Sequence, residues 1–216
     1  MFNGIDLDLL SLLAIIFIVI AAVTLLISRD WRFSIAALVI QYVGAYILVK
    51  ISWPVQMALV KLIAGWFSTI VLAMALFGVF GFKIDGEEQA MRQGRSSILP
   101  PSTNVSGLLF HILATVVIAL AILSVIPDLL NQLDGVTFEQ VMGALVLIGL
   151  GLLHLGFTAH PIRVIFGLLT VLAGFEIIYA AVELSTLVAG LLAGVNLGLA
   201  MLGAYLIYAP SMEGRE

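Results

Sequence analysis

The chain has 216 residues, 62% of them hydrophobic and only 10% charged, and its mean hydropathy is +1.22. That composition excludes an ordinary water-soluble globule and points to an all-α, polytopic membrane protein. A net charge of −4 offers no basic face for nucleic acid, and the absence of cysteine removes disulfides, thiolate metal sites, iron–sulfur clusters and cysteine nucleophiles.

The N-terminal MFNGIDLDLL carries Asp6 and Asp8 where a signal peptide would carry Lys or Arg, and the apolar run behind it is too long for such a peptide. It reads as a retained first transmembrane helix. A spanning helix needs about 20 mostly apolar residues. Seven segments meet that length, at roughly 8–28, 32–51, 55–80, 106–127, 138–159, 162–184 and 186–208. The connections are mostly short, so neighbouring helices run antiparallel. Short cytoplasmic loops retain positive charge, which predicts an outside N-terminus and a cytoplasmic C-terminus. Arg29, Arg32, Lys83, Arg92, Arg95, Arg163 and Arg215 then all fall inside, Lys50 falls outside and Lys61 lies within a helix. Trp31, Trp53 and Trp66, with the tyrosines, mostly stand near segment ends, as an aromatic belt would.

The one long connection, from Gly81 to Gly107, is polar, charged and broken by Pro100 and Pro101. It divides the chain into a three-helix half over 1–81, a cytoplasmic linker over 82–105 and a four-helix half over 106–216. The stretch PDLLNQLDG, 127–135, reads as a solvated turn. In the seventh segment Gly190, Gly194 and Gly198 recur every four residues, and such small-residue spacing predicts close helix packing.

Few residues within the spans are able to carry chemistry. Glu176 lies inside the sixth, where a charge costs roughly 2.5–3.5 kcal/mol at the bilayer centre and is seldom found without a partner, a wet cavity or a function. A carboxylate removed from water exchanges its proton under conditions where an exposed one stays ionised. Glu183, seven residues on, returns to almost the same helix face near the outer end, and Tyr179 is within hydrogen-bonding reach along that face. Asn196 is a strongly polar group at mid-membrane depth in the seventh segment, as structural glue or as a member of a water chain. Lys61, two turns into the third, either snorkels outward or pairs with a carboxylate, Glu183 being at comparable depth; such a pair can act as a switch on the proton affinity of its neighbours. Gln41 and Gln56 are further polar positions. His111, His154 and His160 gather near the cytoplasmic ends of helices four and five, where they are able to relay protons. His154 and His160 are six apart and do not share a helix face, so no metal is expected there. The sequence contains no phosphate-binding loop, dinucleotide fingerprint, nucleophile elbow or zinc motif, so neither a cofactor nor autonomous catalysis is expected.

The segments GALVLIGLGLLHLGF, HPIR and LTVLAGFEIIYAAVELS, with the helix after them, span about 138–208. They resemble the K subunit of bacterial respiratory complex I and the matching subunits of Mrp-type antiporters and membrane-bound hydrogenases. The resemblance places Glu176 of FEIIYAA at that family's buried glutamate. Asn196 stands where a second buried glutamate is expected. Residues RDWRFSIAALV and QMALVKLIAGWFSTIVLAMAL are similar to the J subunit of the same complexes, with Lys61 near a position usually held by glutamate. Seven helices in this layout also resemble the E component of multi-subunit hydrogenases.

The resemblance implies a non-catalytic subunit of a proton-translocating oxidoreductase or antiporter complex, in a bacterial or archaeal cytoplasmic membrane beside antiporter-like subunits. Protons or sodium ions would pass Glu176, reached from the cytoplasm past His111 or His154 and continued by Asn196 or Tyr179. A purely architectural subunit and a stand-alone small transporter are the alternatives.

Overall fold

A computed structural model describes residues 4–28, 30–92, 105–133, 135–158 and 160–213. These residues form seven helices: α1 Gly4–Ile27, α2 Trp31–Ser52, α3 Val55–Arg92, α4 Val105–Gln132, α5 Phe138–Phe157, α6 Pro161–Val182 and α7 Thr186–Glu213. Each is long and apolar enough to cross a membrane, so the chain has the architecture of a multi-pass membrane protein, with no strand among the described residues.

Two boundaries differ from those expected. The apolar part of α3 is Val55–Gly78, yet the helix continues to Arg92 through residues assigned to the linker. Lys, Glu, Gln, Ala and Met are good helix formers, and no proline stops them there. The rest of the linker, 93–104, lies outside the described residues. Helix α4 likewise runs past Pro127 to Gln132, converting most of the expected turn into helix. Pro127 removes one intrahelical hydrogen bond, while Leu129 and Leu130 just beyond it pack against the core.

The helices lie in two rows. Helix α2 touches α1 and α3; α6 touches α5 and α7; and across the rows α1 meets α5, α2 meets α6 and α3 meets α7. Helix α4 stands outside this sandwich, packed on α5. The α2–α3, α4–α5 and α6–α7 turns share one face, called here the α6–α7 face; the α1–α2 and α5–α6 turns share the other. Side chains tie the ends together. Thr137 caps α5 in a reciprocal box with Gln140, whose buried amide also donates to Leu48 O (3.0 Å) and Ser52 Oγ (2.8 Å) at the end of α2. On the opposite face, the Arg163 guanidinium donates to Ser28 O at 2.9 Å and Leu26 O at 3.4 Å, satisfying carbonyls that the end of α1 leaves without helical partners.

In lipid, helices associate through close contact and hydrogen bonds, because exposed acyl chains are as apolar as leucine. The inner surfaces are filled by Ile18, Leu38, Leu48, Leu72, Leu76, Leu147, Ile165, Leu169 and Ile177. The outer surfaces carry Leu113, Leu120, Phe67, Met74, Leu187 and Met201, as hydrocarbon surroundings permit. Helices approach closely at Gly65, where a Cβ would lie 2.3 Å from the Tyr42 ring, and at Gly174, where it would lie 2.7 Å from Ala144 O. The Gly190, Gly194 and Gly198 stripe does not serve the packing expected of it within this chain: nothing lies within 4 Å of any of the three. Helix α7 meets α3 and α6 through its other side, which carries Asn196, Ala200 and Gly203, so the repeat faces outward.

Gly174→Ala should therefore force α5 and α6 apart, since a backbone oxygen is unable to swing away. A loss of about 1–3 kcal/mol is expected, read as a lowered melting temperature in detergent, with Gly194→Ala melting as the native chain does.

Candidate functional site

Depth along the helices brings the polar residues together. Lys61 is six residues from the start of α3 and Glu176 six from the end of α6, so both lie about 9 Å inside the α6–α7 face at 1.5 Å per residue. Tyr42 is ten residues from the end of α2 and Asn196 ten from the start of α7, about 15 Å inside. All four are buried, with Tyr42 and Asn196 at 0% exposure.

They form a closed set. The Lys61 ammonium is ion-paired with Glu176 Oε2. Asn196 Nδ2 donates to Glu176 Oε1 at 3.0 Å, and the Tyr42 hydroxyl donates to Asn196 Oδ1 at 3.1 Å. The Lys61 ammonium lies 5.1 Å from the centre of the Tyr42 ring, within cation–π range. Gly65, one turn beyond Lys61 on α3, lets that ring approach. Four helices, α2, α3, α6 and α7, each contribute one residue.

This arrangement replaces one expectation: Lys61 pairs with Glu176 and not with Glu183. The reason is register: Glu183 lies beyond the end of α6 as its C-cap and is exposed, a full seven residues above the level Lys61 reaches. Its backbone carbonyl instead accepts from Trp53 Nε1 at 3.0 Å. Tyr179 stacks on Phe175, with centroids 6.2 Å apart, and meets Trp53 edge-on at 6.4 Å, so it belongs to an aromatic group above the pair. His154 is buried near the far end of α5 with Nε2 unbonded, on the order of 20 Å from Glu176 along the helix direction. His111 falls on α4, and its side chain lies outside the described residues. Gln56 is exposed at the start of α3.

Tyr42 escaped the sequence reading. Its signal was a tyrosine at the centre of a span, where an aromatic belt does not reach, beside Gln41. Gln41 is buried too: Thr170 Oγ1 donates to its Oε1 at 3.3 Å, while its Nε2 has no partner. Thr170 and Gln41 thus extend the polar line one step toward the opposite face. Among the described residues, no group of three or more His, Asp or Glu is placed to hold a metal.

Chemically, the pair is neutral as a unit, and this is what makes two charges tolerable at that depth. Any protonation change on either member leaves one uncompensated charge in a low-dielectric space, where it acts strongly on its neighbours. No family model, no curated protein and no solved structure matches this chain.

Removing one partner should show the coupling. Lys61→Met is expected to cost about 3–5 kcal/mol, because Glu176 is left buried and unpaired. Lys61→Met combined with Glu176→Leu should recover much of that loss, giving a non-additive double-mutant cycle by chemical unfolding in detergent.

Proposed function

We propose that this chain is a non-catalytic membrane subunit of a multi-protein ion-translocating assembly, similar to complex I or Mrp-type antiporters, in which the Lys61–Glu176 pair handles protons or sodium ions. The observation that supports it best is a carboxylate at lipid depth, bound on one oxygen by a buried ammonium and on the other by an amide that continues to Tyr42. A proton delivered to Glu176 would release Lys61 from its partner, and the unpaired ammonium would then shed its own proton or press on the charges of an adjoining subunit. The pair is thus a two-state element, and Asn196 and Tyr42 set the direction from which Glu176 is held. The motif resemblance around FEIIYAA supports the same reading, as do the apolar outer faces of α4 and α7, which suit a setting among other membrane chains.

A second reading has its own support. Both oxygens of Glu176 are engaged, so the quartet also suits a fixed clamp between helices in a scaffold subunit that seals and positions others. The two differ in what glutamine does. Glu176→Gln should leave assembly of the host complex intact and lower its proton or sodium pumping several-fold, measured in inverted membrane vesicles. Unchanged pumping, together with an assembly defect from Gly194→Leu on the outward glycine stripe, would instead favour the scaffold.

A further inference from the structure

Between the ion pair and the α6–α7 face lies a cavity of about 10 Å³, lined by Lys61, Glu176 and Ala193 and, nearer that face, by Trp53, Met57 and Ala189. That is about the space one water needs, and a buried water also needs two or more polar partners. Both are present. The ammonium has three N–H donors, and among the described residues no acceptor besides Glu176 reaches it; a water there would accept from Lys61 and donate to Glu176 Oε2.

Resting on the ion-handling reading above, we propose that this cavity is a one-water antechamber through which the pair meets the aqueous phase on the α6–α7 face, and that Trp53 is its stopper. Two observations place Trp53 in that role, and a third concerns the residue beside it. It caps α2 at that face, with its backbone N–H bonded to Val49 O. Its indole is 6% exposed and is pinned from α6, by Nε1 donating to Glu183 O and by edge contact with Tyr179. Met57, the other large side chain at that end of the cavity, is tethered to α7 by a 3.9 Å contact from Thr186 Oγ1 to its sulfur. Toward the other face the buried polar side chains include Gln41, Thr170, Ser68 and Thr69, whose three hydroxyls bond backbone carbonyls of their own helices, with His154 beyond them. The pair therefore exchanges with the α6–α7 side, and the tie between Trp53 and the α6 terminus couples opening to movement of the helix that carries Glu176.

The chain contains no cysteine, so a single Ala193→Cys can report on the cavity. A small, membrane-impermeant methanethiosulfonate cation would be added to either side of oriented proteoliposomes, in the native, Trp53→Phe and Trp53→Ala backgrounds. Phenylalanine loses the Glu183 hydrogen bond but keeps most of the bulk, so the native and Trp53→Phe chains should be protected. Trp53→Ala should react faster by about tenfold or more, as loss of a closed state predicts, and only from the α6–α7 face. Equal rates in all three backgrounds, or reaction from the opposite face, would overturn the proposal. Should Trp53→Ala not fold, Trp53→Leu shortens the same side chain while keeping it apolar, and protection unchanged in that variant would equally refute it. Labelling needs no ion movement, so the outcome stands apart from whether Glu176→Gln affects pumping.

Discussion

Attraction between one ammonium and one carboxylate, both withdrawn from water, is the interaction on which the interior of this protein depends. Either charge alone would be expelled from its depth or neutralised; together, with an amide and a phenol completing the shell, they are held by four helices at once. Because α3 and α6 do not adjoin in either row, the pair reaches across the sandwich. It joins the first three helices to the last three at a point where apolar packing alone would leave register free. The polar interior and the helix arrangement are thus a single constraint.

Under the proposed function, that constraint also shapes how an ion would be handled. A lone carboxylate passes protons by taking them up and giving them back. A paired one must first part from its cation, so movement of the ion is tied to movement of charge within the protein. The hydrogen bonds run from hydroxyl to amide oxygen and from amide nitrogen to carboxylate, and together with the ammonium they hold the carboxylate from both sides.

Much of this was legible in the sequence. The seven spans follow from length and apolar content, and Glu176, Lys61 and Asn196 stand out because polar groups are rare at such depth. Their mutual arrangement was not legible, because it depends on which helices face one another. Lys61 matches Glu176 in level only when α3 and α6 are set in the same bundle, and a seven-residue offset on α6 is enough to choose the wrong glutamate. Tyr42 was hidden by the habit of reading tyrosine as an interfacial residue. The glycine repeat of α7 misled for a related reason: spacing identifies a bare helix face but not what lies opposite it. Close contacts fall instead at glycines on other helices, among them Gly65 on α3, Gly143 on α5 and Gly174 on α6. Beyond Gly78, polarity suggested an end to α3, whereas helix propensity carried it on to Arg92.

That continuation has a mechanical meaning. Helix α3 holds Lys61 near one end and extends unbroken to Arg92, about 45 Å away at 1.5 Å per residue. A wound helix is stiff along its axis, so a small tilt at the lysine becomes a larger sweep of the far end. The hidden charge and the far end of α3 are two points on one rod, and whatever grips that end also has a hand on the lysine.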